Sequence, residues 1–182
     1  MKIMIDAGHG PGTIGKRTPD GRMREFHFNA AVAEEVRKRL VAEGFTVTFS
    51  HQPDRDVSLV ERTRFANRSG VDLLVSIHAN AAGNGGYHAA EGIECFVYPT
   101  ASARTRKLGE LLQNSLVAST GRKNRGLKTA DFAMLRDTFM PAVLVECGFM
   151  THKQEAALLQ TAAYRKRCAR AISFAISCLE NQ

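Results

Sequence analysis

Apolar positions along the chain switch repeatedly between a two-residue and a roughly four-residue rhythm. Residues 2–6 (KIMID) form a short isoleucine-rich run, the pattern of a buried strand. Residues 8–21 are crowded with Gly, Pro and Thr and read as a loop. Phe28, Val32, Val36 and Leu40 recur every fourth residue, with Glu34, Glu35, Arg37 and Lys38 between them. That spacing predicts an amphipathic helix, which Gly44 is placed to stop. Residues 45–50 (FTVTFS) alternate and are β-branched, predicting a second strand. Leu59, Thr63 and Ala66, set among arginines, predict a helix over 58–67. Residues 71–77 (VDLLVSI) are almost continuously apolar, as in a central strand. Residues 92–98 (GIECFVY) read as another strand. Leu108, Leu112 and Leu116 place a helix over 103–119. Residues 132–135 read as a short strand and 142–146 (AVLVE) as a last buried one. Thr151 with Gln154 reads as a capping box opening a short helix. Tyr164, Cys168, Ile172, Ile176 and Leu179 mark a terminal helix.

Strand patterns alternating with helical ones predict an α/β fold: a mixed, mostly parallel sheet of about six strands with helices on both faces. No linker, repeat or low-complexity tract divides the chain, so one domain over 1–182 is expected. A composition of 44% hydrophobic and 24% charged residues excludes wholesale disorder, collagen and coiled coil. No apolar run approaches the roughly 20 residues needed to cross a bilayer, so no membrane insertion is expected. The opening MKIMIDAGHG lacks the longer apolar stretch of a secretory signal. The net charge of +7 favours an anionic partner, either nucleic acid or an anionic cell wall. Two basic segments, 122–128 (RKNRGLK) and 165–170 (RKRCAR), read as solvated faces or as wall-facing patches. No basic motif is interleaved with aromatics and Trp is absent, so nucleic acid is the weaker reading. Cys95, Cys147, Cys168 and Cys178 include no CxxC pair and are expected to be reduced and mostly buried.

Three apolar strands end in residues able to bind a metal or move a proton. The first runs into Asp6-Ala7-Gly8-His9-Gly10, the third into His78-Ala79-Asn80, and the last into Glu146-Cys147-Gly148. In open α/β sheets, sites collect beyond the carboxyl ends of the strands. Two imidazoles and a carboxylate would converge there, a donor set suited to zinc. Glu25, at the start of the first helix, is the most plausible third ligand, and a carboxylate there also suits the helix dipole. Taken singly, His9 reads equally as a turn cap, His78 as a hydrogen-bonded core histidine and Glu25 as a helix-start charge. The conjunction is what carries the metal reading. Glu146 is harder to dismiss, because a carboxylate is costly to bury without a partner. Asp6 either orients a ligand or stabilises the turn. His27, His51, His88 and His152 lack this context, and solvated or local structural roles are expected for them.

On these residues the chain resembles the zinc-dependent N-acetylmuramoyl-L-alanine amidases of the amidase 3 type, which cut bacterial peptidoglycan. The segments from Ile5 to Gly10, Glu25 with Asn29, and Ser76 to Asn80 resemble the family's metal-binding stretches. Residues 54–67 resemble its second helix, Arg125-Gly126 and Leu135-Arg136 later landmarks, and Pro141 to Phe149 the strand carrying the catalytic glutamate. Pro11, Phe26, Cys147 and His152 depart from the usual pattern without removing a ligand. The resemblance implies one Zn2+ per chain held by His9, Glu25 and His78, with Glu146 as general base. The implied reaction is hydrolysis of the amide between N-acetylmuramic acid and L-alanine. The inserted helix that blocks the site in some relatives is not seen, so an open monomeric site working without an activator protein is expected. The implied place of action is the cell wall, outside the cytoplasm, with release by a phage lysis system one possible route. Two rivals from other classes are a wall-binding module without catalysis and a basic nucleic-acid-binding protein; an enzyme rival is a zinc carboxypeptidase cutting within the stem peptide.

Overall fold

A computed structural model describes residues 1–180 of the chain; 181 and 182 lie outside the described residues. The strands are β1 (Lys2–Ala7), β2 (Thr46–Phe49), β3 (Leu73–Asn80), β4 (Ile93–Val97), β5 (Asn124–Thr129) and β6 (Ala142–Phe149). The helices are α1 (Glu25–Ala42), α2 (Leu59–Arg68), α3 (Ala103–Thr120), α4 (Ala133–Arg136), α5 (Lys153–Leu159) and α6 (Ala162–Glu180). All six strands join one sheet in the order β2-β1-β3-β6-β4-β5. Neighbours run parallel except β4 against β6. The domain is therefore α/β with a mostly parallel sheet, and the apolar run around residues 71–77 belongs to an interior strand.

Because side chains alternate across a strand, the two faces of the sheet have different compositions. Ile3, Ile5, Val75, Ile77, Val143 and Val145 point to one face, where they pack with α1, α3 and α6 in the main core. Their alternates Met4, Leu74 and Leu144 meet Ala66 of α2 and Met134 and Leu135 of α4 in a much smaller cluster. Asp6, Ser76, His78 and Glu146 share the parity of this second face. Three long helices seal the first face, and α2 with the single-turn α4 leaves the second open towards the strand ends. The chemistry sits on the thinly covered side.

Three expectations are corrected. Residues 132–135 are not a strand: Phe132 caps α4, and an apolar run of four does not distinguish a strand from a helical turn. The basic stretch 122–128 is not a solvated helix or loop face but contains β5, an edge strand whose polar exposure suits an edge and whose Arg125 and Lys128 bond inward. Finally, α5 is capped by His152, whose Nδ1 accepts from the Glu155 amide at 3.4 Å. Thr151 is instead buried and accepts from the Ala82 amide at 2.9 Å. Of the four cysteines, all unbridged, Cys95, Cys147 and Cys168 are buried and Cys178 is partly exposed, as expected.

Candidate active site

β1 and β3 lie side by side, pairing Ala7 with Ile77, so the loop after β1 emerges next to His78. The approach is close: a Cβ on Gly8 would overlap the His78 ring, and glycine is therefore required there. His9 is the one non-glycine among the described residues in the left-handed region, at φ 64°. That conformation costs on the order of 1 kcal/mol or more and must be held by its surroundings. The Arg62 guanidinium supplies the hold, donating from Nη2 to the His9 carbonyl and from Nη1 to Ala7 O at 2.5 Å. Asp56 fixes the rest of the turn, accepting from Gly12 N and Thr13 Oγ1, each at 2.8 Å. Asn29 of α1 donates to Gly8 O at 3.0 Å.

Glu25 opens α1 with its amide donating to Lys16 O at 2.9 Å. Its carboxylate lies between the two histidines: Oε2 is 3.1 Å from His9 Nε2 and Oε1 is 3.0 Å from His78 Nδ1. One donor atom from each of His9, Glu25 and His78 lies within 4.8 Å of the others. The rings meet edge to face, with centroids 5.2 Å apart. Burial opposes the charge on Glu25, yet the two imidazoles hold its carboxyl well below the usual range. Burial likewise opposes charge on His78, and Glu25, Glu146 and Asp6 outweigh it to raise its pKa.

Beneath His78 lies a polar chain. Its Nε2 is 3.2 Å from Ser76 Oγ, which donates to Asp6 Oδ2 at 2.5 Å. Because the Ser76 proton is directed to Asp6, Ser76 Oγ can accept from Nε2–H, an arrangement that leaves Nδ1 facing Glu25. Asp6 also accepts from Ser50 and from Arg62 Nη1, at 2.5 and 2.7 Å. Burial would raise its pKa, but Arg62 and the two hydroxyls keep it ionised.

Glu146 is paired in register with His78 across β3 and β6, and both line a cleft of about 300 Å³ whose other wall includes Leu59, Phe132 and Met134. Its Oε2 is buried without a hydrogen-bond partner, and burial pushes its pKa up to about 8, with His78 pulling the other way. A carboxylate left unsatisfied beside two imidazoles and a second carboxylate is what a site for a cation and its water would leave behind. The donor set and the open cleft both fit zinc.

A family model for N-acetylmuramoyl-L-alanine amidase matches residues 3–178. The chain belongs to the N-acetylmuramoyl-L-alanine amidase family. It is 34% identical to the amidase CwlM of Bacillus licheniformis over 172 residues, covering 93% of this chain and 65% of that protein. It spans less than two thirds of the length of this and other curated relatives. The solved amidase of Clostridium difficile 630 superposes with a TM-score of 0.93 at 30% identity, covering 100% of this chain and 97% of that one. The CwlD amidase of Clostridioides difficile, solved in complex with the GerS lipoprotein, gives 0.91 at 26% identity, covering 99% and 98%.

The fold brings His9, Glu25, His78 and Glu146 together, and Asp6 has contacts that suit both of its readings: Ser76, which lies under His78, and Arg62, which braces the His9 turn. Arg62 escaped the sequence reading as a structural support, although the pattern held a signal: it sits four residues before buried Ala66, on the stripe where the helix should be apolar. Glu94 escaped it too, as a polar residue inside the apolar run of β4. Its carboxylate accepts from Asn80 Nδ2 at 2.6 Å, Arg125 Nε at 2.8 Å and Lys128 Nζ at 2.5 Å. His51, His88 and His152 take local structural roles, accepting from the Ala7, Ala90 and Glu155 amides.

Proposed function

We propose that this protein is a zinc-dependent amidase that hydrolyses the bond between N-acetylmuramic acid and the L-alanine of the stem peptide in bacterial peptidoglycan. The observation that carries the reading is the meeting of the three donors His9, Glu25 and His78 with the unpartnered Glu146 carboxylate in one cleft. In this scheme His9, Glu25 and His78 hold the ion. Zinc supplies Lewis acidity, which acidifies water near pH 7 and polarises a carbonyl oxygen. Glu146 acts as general base, taking a proton from the attacking water as it adds to the lactyl carbonyl carbon, and then as general acid towards the departing amine. One water is consumed; the C–N bond breaks, leaving a carboxylate on the lactyl group and a free amino group on alanine. Arg62, Asp6 and Ser76 hold the two histidines in place throughout.

The reading extends to the setting. The protein acts on the wall, outside the cytoplasm, as a monomer with an open site. No helix fills residues 81–92 between β3 and β4, which supports access to the cleft without an activator protein. Among the described residues no helix is long and apolar enough to cross a membrane. Atomic spectroscopy of the purified protein, joined to mass spectrometry of digested walls, tests the scheme. The expected result is one zinc per chain and stem peptides with a new alanine amino terminus, both lost on chelation and restored by zinc. Cleavage inside the stem peptide would instead identify a carboxypeptidase, and undiminished turnover by metal-free protein would overturn the metal scheme.

A further inference from the structure

Two hollows meet at the candidate metal site. The first holds Lys16, Asn80, Phe132 and Glu146; the second, of about 350 Å³, holds Thr13, Asp56, Ser58 and Arg62. His9, Leu59, His78 and Met134 line both. A substrate with its scissile bond over the donors therefore sends one arm into each. Glu146 borders only the first hollow. A leaving amine protonated by Glu146 must lie on that side, which places the stem peptide in the first hollow and the lactyl group with its sugar in the second.

Lys16 is the one lysine or arginine lining the first hollow. Its backbone is tied to the site through the Glu25 amide, whereas its ammonium has no hydrogen bond or ion pair among the described residues. Its charge is close enough to act on Glu146. Arg125 and Lys128, by contrast, are already engaged by Glu94. An unpaired ammonium on a flexible four-carbon stem is a ready partner for an anion. A stem peptide whose second residue is a γ-linked D-glutamate presents one: a free α-carboxylate, one residue beyond the leaving alanine.

We propose that Lys16 is a specificity-determining residue that binds the α-carboxylate of the second stem residue in the first hollow. This rests on the amidase reading above. The test uses two muramoyl tripeptides that differ only at that carboxyl, free acid against carboxamide, with kcat/KM measured on the zinc-loaded protein. The wild type should prefer the acid by about fivefold or more, the size of a part-exposed charge-assisted contact. Lys16→Met should bring the ratio near one, and Lys16→Arg should restore most of it. Titration of the same pair onto Glu146→Gln protein reads the preference in binding, without turnover. An equal preference in wild type and Lys16→Met, or equal losses on both substrates, would overturn the assignment; the second result would make Lys16 a modulator of Glu146 instead. A binding preference that depends on Lys16 in a wild type that cleaves neither compound would keep the carboxylate site and sink the amidase reading.

Discussion

Glu94 and Glu146 face one another across β4 and β6, paired in register on the thin face of the same sheet. Both sit within apolar strands, and burial raises the pKa of each. Their outcomes are opposite. Glu94 is saturated by Asn80, Arg125 and Lys128 and stays below the usual carboxylate range. Glu146 has a buried oxygen with no partner and titrates near 8. The pair shows what partners do against burial: desolvation opposes the charge on both, and at Glu94 the neighbours outweigh it and make the carboxylate a structural anchor, whereas at Glu146 they do not.

The most severe way to break this comparison is to remove the free carboxylate and keep its shape. Glu146→Gln should lower kcat for wall hydrolysis by about 10³-fold, within the range for loss of a general base, with zinc content and Tm close to wild type. The amide is neutral and has the same shape as the protonated carboxyl it replaces, so stability is expected to hold. A kcat within tenfold of wild type would remove Glu146 from proton transfer.

The saturated member should fail differently. Glu94→Gln leaves Arg125 and Lys128 without their counter-charge, and a broken buried pair costs about 3–5 kcal/mol. Because the two cations are themselves part-exposed, the expected loss is nearer to about 2 kcal/mol, read by urea unfolding. The new amide nitrogen must face either the two cations or the Asn80 Nδ2 donor, and Asn80 lines the cleft, so a rise in KM with a smaller change in kcat should accompany it. A loss of kcat as large as that of Glu146→Gln, with stability unchanged, would erase the distinction between the two residues.

The same contrast explains what could be read from the sequence. His9, His78 and Glu146 stand at the ends of apolar strands, and the strand-end rule gathers such residues whatever the details of packing. Glu25 was legible because a helix start after a glycine-rich loop has to return near the sheet. The six-strand count was also legible, but through compensating differences: 132–135 is helical and 124–129 is a strand. Residues Arg125 and Lys128 resemble any solvated basic run until β5 is paired with β4, since the Glu94 that neutralises them is some thirty residues away. The support under the histidines was hidden for a related reason. Asp6, Ser50, Arg62 and Ser76 come from four separate elements or their flanks, and only the register of β1 with β3 and the seating of α2 make them one network.

A pair of histidines sharpens the point with a smaller effect. Both respond to the charge of Asp6. His78 is raised, because the carboxylates around it outweigh burial. For His51 burial dominates, assisted by Arg62, and its pKa falls to about 4. Its Nδ1 accepts from the Ala7 amide at 3.1 Å, a bond that protonation of that nitrogen would abolish. A folded pKa below the unfolded value of about 6.5 means that the unfolded chain binds the extra proton. The stabilisation is therefore complete above about pH 6.5 and is lost as pH falls through 4. Between pH 7.5 and 4.5 the loss should be about 2 kcal/mol, after a discount for the ring's partial exposure. Other groups titrate in the same window, so the informative quantity is the stability difference between wild type and His51→Asn, measured by urea unfolding at each pH. The asparagine does not titrate, and the difference should shrink as the pH is lowered. A difference that stays constant from pH 7.5 to 4.5 would mean that burial leaves the His51 pKa unshifted, and one that grows as the pH falls would mean that His51 pairs with Asp6 much as His78 does.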